Sequence, residues 1–345
     1  MSKSVCQRNC DQCRMQAYCQ GCSICEMPFC RKDCDRCFSL CPEHAASFAQ
    51  LRHVGGGSIA LKENRCQELP YMIPIIPDRL TEKMTFDCDI IGIHGANFFS
   101  SNGENIARLY RRKGIRDALN LAHETENVLE FYVRDRTLEG FWDKRKEIYR
   151  QLSDFRWKTI ISPNFSVYED APRMDHLYNI KRSTIIYNEM LDAGLPAVPD
   201  VSWFNVIDLD QWIKEINEKN VKHIAFSFQV VGTGGRAANT YVHYAAGFRY
   251  LLEQIPDDVS LILAGIVSPK RLAFILDGAE ARKVSILNQS AYIHSRRGRL
   301  SETNLLAPPQ MSKNQIFLRN IAFYEKEYRR IINAKEQREE FNCTS

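Results

Sequence analysis

Acidic and carboxamide side chains gather at one kind of place in this chain, immediately after short apolar runs. Met72-Ile-Pro-Ile-Ile76 leads into Pro77-Asp78, and Leu195-Pro-Ala-Val198 into Pro199-Asp200, so a carboxylate follows a proline twice in the same phrase. Lys158-Thr-Ile-Ile-Ser162 is followed by Asn164 and Phe165, with Glu169 and Asp170 further along the same connection. Asp89-Ile-Ile-Gly-Ile93 leads into His94 and Asn97, His223-Ile-Ala-Phe-Ser-Phe-Gln229 closes on Gln229, and Val284-Ser-Ile-Leu-Asn-Gln289 closes on Asn288 and Gln289. A carboxylate held by a stiff backbone can act as general acid, general base or nucleophile. Carboxamides suit the donor and acceptor edge of a planar base, on which Phe165 or Trp203 could stack. In cleavage of an N-glycosidic bond, one carboxylate would stabilise an oxocarbenium-like sugar or activate water while hydrogen bonds ease the departure of the base. Asp200, Asp78 and Asp170 are therefore the candidate catalytic residues, and His94, Asn97, Asn164, Phe165, Trp203, Gln229, Asn288 and Gln289 the candidate base-binding ones. Taken singly, Asp and Asn also cap helices and Trp203 also suits a core; the whole set converging on run ends points to a ligand.

The elements that would position these groups alternate regularly. The apolar runs read as buried strands, and between them lie helical stretches at Glu104–Ala122, Leu138–Leu152, Ala171–Ala193, Asp208–Glu218, Tyr241–Gln254 and Pro269–Leu276, with Asn314–Ile332 last. A further strand is read at Asn127–Val133. Short apolar strands alternating with helices are the mark of parallel βαβ units. Eight such units over about 270 residues have the size of a TIM (β/α)8 barrel, whose active sites sit at the carboxyl ends of the strands. The expected organisation is a Cys-rich metal-binding module at 1–54, a linker at 55–70, the α/β barrel at 71–335 and a flexible tail at 336–345. No apolar run reaches the ~20 residues of a membrane span and the N-terminus is unlike a signal peptide, so a cytoplasmic protein is expected. The net charge of +4 permits a nucleic-acid partner.

Ten of the thirteen cysteines lie in the first 41 residues: Cys6, Cys10, Cys13, Cys19, Cys22, Cys25, Cys30, Cys34, Cys37 and Cys41. In a chain without a secretion signal, that density argues for metal rather than disulfides. The stretch repeats itself, since Cys6-Gln-Arg-Asn-Cys10-Asp-Gln-Cys13 parallels Cys30-Arg-Lys-Asp-Cys34-Asp-Arg-Cys37. A segment this poor in large apolar side chains cannot fold on burial alone, and thiolate–metal bonds would supply the missing free energy. Zinc sites of four thiolates are one reading. Cys34-x2-Cys37-x3-Cys41-Pro42 resembles the end of a ferredoxin motif, which keeps an iron–sulfur cluster open. The spacing Cys6-x3-Cys10-x2-Cys13 is also that of a radical-SAM cluster, but it stands far ahead of the first strand instead of in the loop after it.

Phe248-Arg-Tyr-Leu-Leu-Glu-Gln-Ile-Pro-Asp257, then Leu261-Ile-Leu-Ala-Gly-Ile-Val-Ser-Pro-Lys-Arg-Leu272, then Ser295-Arg-Arg-Gly298, resembles the last third of the tRNA-guanine transglycosylase superfamily. His94-Gly-Ala-Asn-Phe98 and Phe228-Gln-Val-Val-Gly232 carry weaker likenesses. The resemblance implies a TIM barrel that breaks, and sometimes re-forms, a base–sugar bond in nucleic acid, with Asn164 and Phe165 reading the base and Asn288 near the nucleophile position. Where the family has its nucleophilic aspartate this chain has Leu287-Asn288, His94 stands near the other catalytic aspartate, and the family's zinc site after the barrel is missing. Hydrolysis needs only one carboxylate and a water, so the expectation is a DNA glycosylase that flips a modified base, such as glucosylated hydroxymethylcytosine of phage DNA, and leaves an abasic site in antiphage defence. The alternatives are a base-exchanging transglycosylase inserting a deazapurine into DNA or tRNA, and a non-catalytic metal-bearing nucleic-acid-binding protein. Arg236 in the Gly232–Arg236 loop, with Arg296 and Arg297, is expected to contact the nucleic-acid backbone. The absorption spectrum of the purified protein decides the metal: zinc predicts a colourless protein, and a broad band at roughly 400 nm would assign iron–sulfur.

Overall fold

A computed structural model of the protein describes residues 50–65, 68–77, 85–122, 124–167, 173–229, 237–277 and 282–342. The ten N-terminal cysteines, Asp78, Asp170 and Arg236 lie outside the described residues. Eight strands are present: β1 (Met72–Ile76), β2 (Ile90–His94), β3 (Glu126–Glu130), β4 (Thr159–Ile161), β5 (Ala197–Val198), β6 (His223–Ser227), β7 (Ser260–Ala264) and β8 (Val284–Asn288). They form one parallel sheet in the order β5-β4-β3-β2-β1-β8-β7-β6. Its two edges are drawn together by a parallel bridge between Asp200 and Ala225. There Ala225 N donates to Pro199 O at 2.8 Å and Val201 N donates to Ala225 O at 2.9 Å. The result is an α/β, nearly closed barrel of the TIM kind.

The helices are α1 (Gly95–Phe98), α2 (Arg108–Leu119), α3 (Asp135–Leu152), α4 (Arg173–Asp192), α5 (Val206–Glu218), α6 (Ala237–Leu252), α7 (Pro269–Ile275), α8 (Ser290–Arg296) and α9 (Lys313–Asn342). None among the described residues is long and apolar enough to cross a membrane. The single basic helix expected from Glu104 to Ala122 is shorter and broken. Gly114 adopts φ +69° and ψ 175°, which interrupts the helical hydrogen bonding, and Asn120 ends the helix in the left-handed region at φ 52°. The short α8 was not expected; it inserts a turn of structure between β8 and the terminal helix. Within the stretch expected as a linker, residues 59–64 are stitched to the barrel: Leu61 N donates to Glu215, Tyr187 to Lys62 O, and Asn64 pairs with the backbone of His223.

Side chains of a strand alternate between its two faces, and the core divides accordingly. One cluster takes Ile73, Ile75, Ile90, Val128, Ile161, Val198, Ala225, Ile262, Ala264 and Leu287. These come from every strand and from no helix, so they fill the barrel interior. The positions between them, such as Ile91, Leu129, Ile160, Phe226 and Ile286, pack outward with the helices. Gly92 falls on the inward face, where a Cβ would lie 1.9 Å from Ile75 Cδ1, so the glycine makes room for the isoleucine.

This phase settles where the strand-end residues point. Leu287 faces in, so Asn288 faces out. It is fully buried, donates from Nδ2 to Tyr328 Oη at 2.8 Å, and accepts from Ala291 N at 3.1 Å. It ties β8 to α8 and α9. Asn288→Ala orphans the Ala291 amide and leaves the Tyr328 hydroxyl only its bond to Val267 O, and is expected to lower stability by about 1–3 kcal/mol in urea denaturation; an unchanged midpoint would show that the tie carries no weight.

Candidate functional site

Continuing the inward phase past the apolar layers brings up a different chemistry. His94 follows Gly92, Glu130 and Tyr132 follow Val128, Asp200 follows Val198, and Ser227 follows Ala225. The carboxyl-end layer of the barrel is thus polar while the layers below are aliphatic. Glu130 is 1% exposed and satisfied on both oxygens, by His94 Nδ1 and by the Tyr132 backbone N–H at 2.6 Å. Asp200 is 1% exposed. Its Oδ2 accepts from Asn164 Nδ2 at 3.1 Å, while its Oδ1 has no hydrogen-bond partner. The Tyr132 phenol faces Asp200 and Ser227 but completes no hydrogen bond of ordinary geometry. Burial lifts the Asp200 pKa from the usual carboxylate range to about 7; Asn164 and Tyr132 oppose that rise and the nearby Glu130 adds to it.

Above Asp200 opens a cavity of about 250 Å³. Tyr132, Asn164, Ser202, Trp203, Ser227, Gln229 and Tyr244 line it, with Phe131, Val133, Ser166, Val167 and Val201. Among the described residues no Lys, Arg, Asp or Glu is in that wall, and Asp200 lies just behind it through its contacts with Asn164 and Tyr132. The Oγ of Ser202 and the Nε1 of Trp203 are buried without partners, like Tyr132 Oη and Asp200 Oδ1. Buried polar atoms are paired almost everywhere in proteins, so unmatched donors and acceptors around one cavity mark a place for a polar ligand or for water.

Local sequence explains how the wall is held. Asn205 caps α5, its side chain accepting from Asp208 N at 3.2 Å while Asp208 accepts in return from Asn205 N at 3.2 Å. Arg173 grips the same Asp208 with two bonds, at 2.9 and 2.5 Å. The connection carrying Asp200 to Trp203 is therefore anchored at its far end. Trp203 lies in a slot over Gly247 of α6, where a Cβ would come within 2.3 Å of the indole. Gly265, at φ +78°, lets the end of β7 approach the backbone of Phe228 and Gln229.

Of the residues singled out in the sequence, Asp200, Asn164, Trp203 and Gln229 come together at this cavity. His94 stands in the same polar layer against Glu130. Asn97 sits on α1 with its Nδ2 buried and unpartnered, outside the lining. Phe165 is not a stacking platform: it is 2% exposed, under the Arg182 guanidinium at 3.8 Å and edge-on to Trp142. Asn288 faces the helices, as described, and is not a base reader. Gln289 is the N-cap residue of α8 without a side-chain cap bond, and Arg296 and Arg297 are exposed at the other end of that helix. Glu130, Tyr132, Ser202, Ser227 and Tyr244 escaped the sequence reading. Strand phase would have found three of them, since Glu130, Tyr132 and Ser227 sit in step with Val128 and Ala225. Among the described residues no group of His, Cys, Asp and Glu is arranged to hold a metal ion.

Comparison with known proteins adds one positive finding. Residues 111–268 match the Domain of unknown function (DUF4417). That stretch runs from α2 to just past β7 and holds the whole cavity wall, Asp200 and Glu130, while His94 precedes it. No curated protein matches the chain.

A raised carboxyl pKa has a signature in stability. Folded Asp200 keeps a proton that the unfolded chain releases, so its contribution is most favourable below about pH 4, falls as pH rises towards 7 and is flat above. Asp200→Asn removes that dependence. Its stability relative to wild type is expected to climb between about pH 4 and 7, by on the order of 4 kcal/mol at most. Comparing the two proteins cancels the opposite contribution of buried His223, whose pKa burial lowers to about 4. A difference constant with pH, in denaturation at several pH values, would mean that Asp200 ionises as freely folded as unfolded.

Proposed function

We propose that this chain is an N-glycosidic bond hydrolase acting on DNA, a glycosylase that takes a flipped, modified base into the barrel mouth and leaves an abasic site. The observation that carries the reading is the Asp200 carboxyl: buried, near pH 7 in its titration, with one oxygen unmatched behind a cavity wall whose described residues carry no charged side chain. The described wall, lined by Asn164, Ser202, Trp203, Ser227, Gln229 and Tyr244, suits an uncharged ring with polar edges. The carboxamides of Asn164 and Gln229 and the indole of Trp203 suit its polar edge and its face.

Asn164 fixes one carboxylate oxygen of Asp200, which leaves the other to exchange a proton with the leaving base or with the attacking water. A pKa near neutrality populates both forms at working pH, the condition under which a carboxyl group serves as acid or base. Tyr132 and Ser227 stand between Asp200 and the cavity and would relay or position that proton. The resemblance to the DNA-acting branch of the transglycosylase superfamily favours a phage-modified cytosine. The N-terminal cysteines would hold zinc, or an iron–sulfur cluster, as a module for contact with the nucleic acid.

The test is release of a base from phage DNA carrying glucosylated hydroxymethylcytosine. Wild-type protein should free the base and leave alkali-labile sites with no added free base, and Asp200→Asn should reduce that rate about 10²–10⁴-fold with little change in DNA binding. Full activity of the variant removes Asp200 from the chemistry. Incorporation of a labelled free deazapurine would reassign the reaction to base exchange.

A further inference from the structure

Helix α6 carries two tyrosines one turn apart, and Tyr244 lines the cavity with its ring 5.2 Å from Trp203. Tyr241 turns the other way, towards α7, where its ring lies 6.0 Å from Phe274 at an interplanar angle of 33° and its hydroxyl donates to Arg271 O at 3.3 Å. Phe274 is 46% exposed although its neighbours Leu272 and Ile275 are fully buried. The Arg249 guanidinium lies 4.5 Å over that ring and Arg271 lies 5.2 Å over Tyr241, with Lys270 exposed beside them. Among the described residues the acid that follows α7 is Asp277, which comes after the helix has closed.

We propose that the Tyr241–Phe274 face is a binding surface for single-stranded nucleic acid, holding the nucleotides that flank the base seated in the cavity. The inference rests on the glycosylase reading for what fills the cavity, and on this face for what lies beside it. Flat exposed rings bordered by cations are the pairing that single strands use: bases stack on the rings whatever their sequence, and the cations follow the phosphates. The Trp203–Tyr244 pair at the cavity and the Tyr241–Phe274 pair at the surface have their tyrosines one turn apart on the same helix, α6, so a strand whose base enters the mouth would have the second pair beside it. Lys270, Arg271 and Arg249 supply the positive charge that a phosphodiester complements. A base extruded from a duplex is already unpaired, which matches a surface built for unpaired neighbours.

The experiment measures binding of the full-length protein to a fluorescein-labelled, unmodified single-stranded oligonucleotide by anisotropy across a salt series. Phe274→Ala should weaken binding at least about fivefold. Lys270→Ala and Arg271→Ala should each lower the slope of log K against log salt by about 0.7. Leu306→Ala, a more exposed apolar position at 70% in the connection between α8 and α9, should leave binding unchanged. Lys270→Glu, at an exposed site, serves if Phe274→Ala does not fold. Wild-type affinity and slope in all the patch variants would overturn the proposal, as would equal loss in Leu306→Ala. So would loss of binding to anionic lipid vesicles, rather than to the oligonucleotide, in Phe274→Ala. Base release is read separately: an inactive wild-type protein whose oligonucleotide binding still depends on Phe274 sinks the glycosylase and keeps this surface, and active patch variants with wild-type binding do the reverse.

Discussion

The barrel closes at its weakest seam, and the residue that closes it is the one whose chemistry stands out. Strand β5 has two residues of regular structure, and its junction with β6 is made by the backbone of Pro199 and Val201 on either side of Asp200. Proline has no N–H to offer a ladder, so the carbonyl of Pro199 and the amide of Val201 do the pairing. With both neighbours bonded to Ala225, the orientation of Asp200 is set. Its side chain must point into the barrel, where Val198 points one step below. The carboxylate is thus buried by the same hydrogen bonds that complete the fold.

That placement is costly and only partly offset. A buried carboxylate without full hydrogen bonding favours its neutral form, and Asn164 satisfies only one oxygen. The contrast with Glu130 is instructive, because it stands in the same layer, is as deeply buried, and has both oxygens engaged by His94 and the Tyr132 amide. Two acids at one barrel mouth therefore have different surroundings, one complete and one incomplete. The unmatched atoms of Tyr132, Ser202 and Trp203 crowd the incomplete side.

The supports of this site are ordinary helix chemistry used at the right place. The reciprocal cap between Asn205 and Asp208, with Arg173 holding Asp208 from α4, keeps the β5–α5 connection from relaxing away from the buried charge. Gly247 makes the slot that holds Trp203 upright against His243 and Tyr244. Each of these contacts lies outside the polar layer, yet each limits how far its members can move.

Much of the architecture was legible from residue order alone. Apolar runs such as Ser260–Ile266 and their intervening helices announce a parallel barrel, because burial on both faces leaves a strand no polar side to show. The phrase Pro199-Asp200 marked a carboxylate at a strand end, since a rigid residue before an acid is a local signal. What order alone could not supply was phase and partner. Asn288 and Asp200 both look like polar strand-end groups, but Leu287 and Val198 are inward, so one carboxamide turns to Tyr328 and one carboxylate turns to the cavity. Phe165 looked like a free platform until the chain brought Arg182 over it from a different helix. By its charge alone Glu130 reads as surface, although its step from Val128 places it on the inward face. Local sequence determines what a segment can become, through hydrophobic period, proline and glycine. Only the closed barrel decides which side chains face the same small volume, because that depends on strands far apart in the chain being brought into register.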